Sequence, residues 1–213
     1  MDPSFWHAKW EKNEIGFHQN EINPFLVKYF GDLSVAAGSR VFVPLCGKTR
    51  DIAWLLSQGC RVAGAELSRV AIEQLFAELG VEPQISRVGR LERFATEDID
   101  VYVGDIFDLI AKDLRPVDAV YDRAALVALP QDMRHRYSRH LTDITDGVPQ
   151  LLITYEYDQT AQAGPPFSVS TQEVRHHYAD RSDSTLLETV DVPGGLRGKC
   201  PAQEHVFLIG KAA

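Results

Sequence analysis

Glu66 ends the apolar run Arg61-Val62-Ala63-Gly64-Ala65 and stands 21 residues beyond Leu45, which ends an earlier run, Arg40-Val41-Phe42-Val43-Pro44-Leu45. An acid about that far past the first strand of an α/β fold accepts hydrogen bonds from ribose hydroxyls. A solvated strand-end carboxylate explains the spacing equally well. Between the two runs lies Cys46-Gly47-Lys48-Thr49. Gly47-Lys48-Thr49 has the ending of a Walker loop, but the glycine that this motif needs five residues earlier is Phe42, so no phosphate cradle forms there. Only one of the three glycines of the dinucleotide fingerprint is present, and a pyrophosphate needs the close backbone approach that they allow. Gly47 alone reads as an ordinary tight turn. A nucleoside cofactor without a pyrophosphate satisfies both facts, and S-adenosyl-L-methionine is the common molecule of that description.

Other candidates follow later apolar runs. Asp105 comes after Val101-Tyr102-Val103-Gly104 and reads as a helix cap, with a position near an adenine edge as the alternative. Arg123 follows Val117 to Tyr121 and sits beside Asp122. A guanidinium there could hold a carboxylate, or stack on or hydrogen-bond an aromatic heterocycle; the plain alternative is a surface ion pair worth ~0–1 kcal/mol. The first residues are rich in rings: Phe5, Trp6, Trp10, Phe17, His18 and Phe25. Trp6 and Trp10 are four apart and share one face of a helix. Docking on the sheet accounts for them, and so does a lid, since aromatic faces attract a sulfonium and a lid keeps water from a methyl transfer. His18 reads as a capping or buried histidine, with a proton relay as the alternative.

Such residues need a parallel sheet to bring them together, and the chain supplies its pattern. Short β-branched runs alternate with helix-period segments, the signature of βαβ units. Ile52, Leu55 and Leu56 predict a helix stopped by Gly59; Ile72, Leu75, Phe76 and Leu79 predict another, capped by Ser68 and closed by Gly80. A helix is expected over Gln131 to Ile144, a fifth strand over Leu151 to Tyr155, and a helix over Ser170 to Tyr178. Leu186 to Val190 and His205 to Ile209 are separated only by a Pro/Gly-rich connection, so they are expected to pair antiparallel at one edge. The expected architecture is α/β, a mostly parallel doubly wound sheet with one antiparallel edge pair and helices on both faces.

Composition narrows the partners. Among 213 residues, 22 Lys+Arg against 30 Asp+Glu give a net charge of −8. That balance disfavours nucleic acid and anionic membrane surfaces as the main partner. No apolar run reaches the ~18 residues of a membrane span. Cys46, Cys60 and Cys200 lack C-x-x-C spacing and the seven His are dispersed, so neither a disulfide framework nor a metal site is expected. The chain reads as a single domain over 1–213, with 1–30 as an aromatic lid segment and 40–213 as the sheet core, monomeric and cytoplasmic.

Several stretches together resemble one family. They are Trp6-x-x-x-Trp10, Phe17-His18-Gln19, Val43 to Lys48, Gly64-Ala65-Glu66-Leu67-Ser68, Asp105 to Leu109, Asp122 to Leu129 and Gly164-Pro165-Pro166-Phe167. In this order they are similar to the thiopurine S-methyltransferase family, in its bacterial branch. The resemblance implies a Rossmann-like methyltransferase fold, S-adenosyl-L-methionine as donor and an aromatic thiol as acceptor. It implies Trp10, Leu26, Leu45, Gly47, Glu66, Ile106 and Arg123 as cofactor contacts, Trp6 and Phe17 as a cover, and Arg123 also facing the acceptor as the catalytic group. Arg197, in Gly195-Leu196-Arg197-Gly198, is the nearest match to a second acceptor-side arginine. Inorganic selenium or tellurium oxyanions or sulfide are an alternative acceptor class, and a non-catalytic nucleoside-binding module is a second alternative.

Overall fold

The computed structural model describes residues 3–16, 18–179 and 183–210. Two helices, α1 (Pro3–Glu11) and α2 (Pro24–Tyr29), precede the sheet. The sheet then alternates with helices: β1 (Arg40–Pro44), α3 (Asp51–Ser57), β2 (Arg61–Glu66), α4 (Arg69–Leu79), β3 (Gln84–Val88), β4 (Leu91–Ala95), β5 (Ile99–Val103), α5 (Ala111–Leu114), β6 (Ala119–Arg123), α6 (Gln131–Thr145), β7 (Gln150–Tyr157), α7 (Thr171–Tyr178), β8 (Ser184–Asp191) and β9 (Ala202–Ile209). The helix signals hold where they were read. Ser68 accepts from the Ala71 amide at 3.3 Å and Gly80 ends α4 in the left-handed region.

The nine strands form one sheet in the order β3-β4-β5-β2-β1-β6-β7-β9-β8. The central pairings β5-β2, β2-β1, β1-β6 and β6-β7 are parallel. β9 runs antiparallel to β7 and β8 antiparallel to β9, as expected for that edge. The other edge departs from expectation. β3 and β4 form a hairpin that pairs antiparallel with β5, so both edges are antiparallel. β3 escapes an apolar-run reading because Gln84 to Arg87 are exposed; its signal was the two-residue turn Gly89-Arg90 with Gly89 at φ +58°, a hairpin turn that a glycine in the first position favours.

Alternation along the strands separates two cores. Val41 and Val43 pack on one face with Ile52 and Leu55 of α3 and Ile72 and Phe76 of α4. Phe42 packs on the other with Leu114 of α5, Tyr137 and Leu141 of α6 and Val174 of α7. Leu26 of α2 belongs to the first core with zero exposure. The Asn23 side chain caps this short helix by accepting from the Phe25 and Leu26 amides, which fixes Leu26 against the sheet, where its burial contributes ~1.5–3 kcal/mol.

From β1 the chain winds outward through β2 to β5 and then returns to β6 on the other side of β1. Strand order therefore reverses between β1 and β6, and the crevice beyond their carboxyl ends is where an open α/β sheet takes a ligand.

Candidate active site

A cavity of about 770 Å³ opens at that crevice. Its wall on the β1 side is a strained turn. β1 stops at Pro44 because Leu45 turns to φ +45°, a conformation that costs a non-glycine residue roughly 1–3 kcal/mol. The Cys46 amide still donates to the Ala65 carbonyl at 3.0 Å, and Gly47 follows at φ +52°. A Cβ on Gly47 would meet Cζ2 of Trp10 at 3.0 Å. The turn and the close approach of the indole thus both require glycine, which is more than the ordinary turn read from sequence.

Glu66 ends β2 on this wall and is 6% exposed. Its Oε2 accepts from the Gly47 amide at 2.9 Å and its Oε1 from the Ser68 amide at 2.8 Å. Burial pushes its pKa up, against the opposing pull of the Ser68, Gly47 and Leu67 amides. A carboxylate has about four acceptor directions, so capacity remains on the cavity side. Past β5, Asp105 accepts from the Phe107 amide at 3.0 Å and caps the 3-10 turn Ile106–Asp108. That is the capping role expected of it, and the turn presents Ile106 and Phe107 to the cavity.

Arg123 is the last residue of β6 and lines the cavity. Strand alternation sends Asp122 to the opposite face, so the ion pair between these neighbours does not form. The Asp122 carboxylate instead accepts from the Tyr137 hydroxyl at 2.8 Å, the Leu126 amide at 3.2 Å and Gln150 Nε2 at 3.4 Å. Its burial raises its pKa to about 6. Tyr155 of β7 lines the same cavity, and burial, followed by the Glu204 charge, raises the pKa of its hydroxyl.

α1 crosses the opening. Trp10 is 4% exposed and Trp6, edge-on to Phe5 at 5.2 Å between centroids, also lines the cavity. His18 lines it as well, and burial, followed by the Lys48 charge, lowers its pKa. The segments after β6, β7 and β8 add an apolar part of the lining, with Val127, Leu129, Met133, Pro165, Pro166 and Leu196. Arg197 lines the cavity too and donates to the Pro165 carbonyl at 3.0 Å.

The fold therefore brings Trp6, Trp10, Leu45, Gly47, Glu66, Ile106, Arg123 and Arg197 to one cavity. Leu26 does not line it: its side chain is consumed by core packing beneath α2. Phe17 lies outside the described residues. Sequence reading missed Tyr155, Met133 and Phe107, all on the wall. Tyr155 could have been found by carrying the strand-end rule to the fifth parallel strand; Met133 carried only an amphipathic-helix signal. Among the described residues no group of three or more His, Cys, Asp and Glu side chains could hold a metal ion, and no helix is long and apolar enough to cross a membrane.

These walls fit S-adenosylmethionine. Glu66 offers a buried acceptor for sugar hydroxyls, Ile106 and Phe107 a flat apolar surface for a base, and Trp10 an aromatic face for a cation. Among the described residues no phosphate-cradling loop competes with that assignment.

Solved structures share the fold. One is a 1,6-didemethyltoxoflavin-N1-methyltransferase of Burkholderia thailandensis with bound S-adenosylhomocysteine, at TM-score 0.65 and 14% identity over 98% of this chain and 87% of that one. Another is a TehB-like SAM-dependent methyltransferase of Corynebacterium glutamicum, at TM-score 0.59 and 12% identity over 98% and 97%. Sequence relatives are nearer. The thiopurine S-methyltransferase of Xanthobacter autotrophicus is 58% identical over the whole of both chains, and that of Teredinibacter turnerae 47% identical over 99% of this chain and 98% of the other. A family model described as Thiopurine S-methyltransferase matches residues 1–204. With the matched segments folded around a single crevice, the chain belongs to the thiopurine S-methyltransferase family.

Proposed function

We propose that this protein transfers a methyl group from S-adenosyl-L-methionine to the sulfur of an aromatic or heterocyclic thiol, thiopurines included. The observation that carries the reading is Glu66, buried, clamped by two main-chain amides and on the wall of a cavity that Arg123, Arg197 and the apolar Val127, Leu129 and Met133 also line. Family membership and the S-adenosylhomocysteine in a relative of the same fold support the donor.

When bound, the donor supplies a methyl group on a positively charged sulfur. The chain's own part is placement. Glu66 takes the sugar hydroxyls, Leu45, Gly47 and Ile106 line the nucleoside, and Trp10 faces the cation. Trp6 borders the opening and keeps water out. An in-line displacement is accelerated mainly by alignment, which can be worth ~7–11 kcal/mol. Arg123 is the catalytic group in this reading: its guanidinium holds the anionic form of the acceptor, whose charge lies on sulfur and ring, and desolvation raises the sulfur's nucleophilicity. Arg197 borders the same acceptor. His18, kept neutral by burial, can take a thiol proton. The apolar lining favours an aryl acceptor over a selenium or tellurium oxyanion or sulfide, which a wet, polar pocket would suit better. The protein works as one domain, its residues 1–30 serving as lid over a core from 40 to 213, and as a monomer in the cytoplasm.

The test pairs calorimetry of S-adenosylhomocysteine with transfer of a labelled methyl group to a panel of aryl thiols, selenite and tellurite. Binding with turnover on aryl thiols is expected. Turnover on the oxyanions alone moves the assignment to them, and binding without turnover on any acceptor leaves a nucleoside-binding module.

A further inference from the structure

The 3-10 turn Ile106–Asp108 puts Ile106 and Phe107 on the cavity wall. Two side chains of α6 hold this turn. Nε2 of His140 lies 2.8 Å from the Ile106 carbonyl oxygen. The Arg136 guanidinium sits over the Phe107 ring, 3.7 Å from its centroid. The His140 ring meets the same phenyl edge-on, with centroids 5.3 Å apart. Neither Arg136 nor His140 lines the cavity, yet both grip residues that do.

The chemistry of each contact follows from the groups. A carbonyl oxygen only accepts, so Nε2 of His140 carries a proton and donates. Protonating the ring adds a proton at Nδ1 and leaves that bond in place. A guanidinium is planar and weakly hydrated, which suits it to stack on an aromatic face without full burial. Arg136 is exposed and Phe107 half-buried. Met133, Arg136 and His140 stand at i, i+3 and i+7 and so share one side of α6. Tyr137 and Leu141 of the same helix are in the core, which fixes the element that carries the two grips. The Asp105 carboxylate meanwhile accepts from the Phe107 amide. The turn is thus held at its amide by Asp105, at its carbonyl by His140 and at its ring by Arg136.

We infer that Arg136 and His140 are positioning residues for the donor base, a brace from α6 that sets Ile106 and Phe107 as a platform before the nucleoside arrives. A surface ordered in advance binds more tightly, because less ordering is left to the moment of binding. This deepens the function proposed above and rests on its placement of the donor base at this turn, not on the choice of acceptor.

The test is calorimetry of S-adenosylhomocysteine on the full chain. Arg136→Ala should weaken binding about three- to fivefold, the fold-change of one cation–π contact at an exposed site. His140→Ala leaves the Ile106 carbonyl without its donor and should weaken binding about five- to tenfold. His140→Gln keeps an N–H for that carbonyl and should recover most of the loss. Phe107→Ala should weaken binding as well, and adding Arg136→Ala to it should cost nothing more, because the guanidinium acts only through the ring. The urea midpoint of the donor-free protein should hold in Arg136→Ala. KM for the donor should rise in step with the lost affinity, while KM for 2-mercaptopyridine holds. Unchanged affinity in both alanine variants overturns the brace. So does an Arg136→Ala loss that persists without the Phe107 ring, or a His140→Gln variant as weak as His140→Ala. An affinity loss in Arg136→Ala that tracks a falling urea midpoint also overturns it, since the side chain would then serve the fold. A parent that binds S-adenosylhomocysteine but methylates no aryl thiol defeats the proposed acceptor, while the same affinities still decide the brace.

Discussion

The two halves of the cavity are held in different ways. On the β1-β2-β5 side the main chain positions the polar groups. Glu66 is fixed by the Gly47 and Ser68 amides, and Asp105 by the Phe107 amide. On the β6-β7 side long side chains reach across loops. Arg134 donates to the Leu129 carbonyl at 2.9 Å, the Ser168 carbonyl at 3.0 Å and Glu173 at 2.6 Å, while Arg197 bonds the Pro165 carbonyl. A group clamped by strand-end amides is as rigid as the sheet. A group held between loops moves when any of them changes. Under the proposed function, the donor half is fixed by the fold itself, and the acceptor half is the part that substitution retunes without loss of the donor.

The largest way to break this contrast is Arg134→Ala. The guanidinium is 4% exposed in its ion pair with Glu173 and packs over Phe167 at 5.6 Å. Removing it leaves two loop carbonyls without their donor and the partly buried Glu173 carboxylate with only His177 at 3.1 Å, which should cost about 3 kcal/mol in urea unfolding. Donor affinity, measured on the folded fraction, should change little. A loss below about 1 kcal/mol, the scale of an exposed pair, would show that the acceptor wall stands without it.

A similar effect belongs to Asp122, whose pKa rises from 3.8 to about 6 on folding. A carboxyl raised in this way stabilises the fold fully below its unfolded pKa, and that contribution is lost as pH rises through about 6. The difference corresponds to about 3 kcal/mol. Asp122→Asn stays neutral, so its stability relative to the parent should climb by that order between pH 3.5 and pH 7. A pH-independent difference would mean that Tyr137, Gln150 and the Leu126 amide already solvate the charge fully.

Glu66→Ala sharpens the contrast from the other half. The donor loses its sugar acceptor and two amides lose theirs, and S-adenosylhomocysteine affinity should fall about a hundredfold, or ~2.7 kcal/mol. Glu66→Gln keeps one acceptor oxygen but sets an N–H against a backbone donor, so its loss should be similar or only modestly smaller. Calorimetry that finds either variant within threefold of the parent removes Glu66 from the donor site.

The same contrast governs what the sequence disclosed. Glu66, Leu45 and Gly47 are legible because their place follows from strand ends, and a strand end follows from an apolar run and the turn after it. The capping roles of Ser68 and Asp105 are legible for the same local reason. Tyr155 reaches the cavity wall only through the register of β7 against β6 and β9, and register is set by the whole sheet rather than by a window of residues. Leu26 shows the opposite failure. Family pattern assigned it to the pocket, while the Asn23 cap and the apolar face of α2 place it in the core. The β3-β4 hairpin was hidden because an exposed edge strand lacks an apolar run.

Arg197 offers the smallest effect and the cleanest separation of loop from contact. It is exposed, at φ +51°, in a turn where Leu196 bridges Cys200. Glycine adopts that φ without strain, so Arg197→Gly should be neutral or more stable by about 0.5–1 kcal/mol if the relief exceeds the added chain entropy. The same substitution removes the guanidinium from the acceptor slot and its bond to Pro165. KM for an aryl thiol should then rise about three- to tenfold with kcat nearly unchanged, the pattern of a contact made equally in the ground and transition states. If KM holds while stability rises, the loop needs only its shape and Arg197 contributes nothing to the acceptor. If kcat falls instead, Arg197 acts on the transition state, and the acceptor would then be gripped by two aimed cations rather than by Arg123 alone.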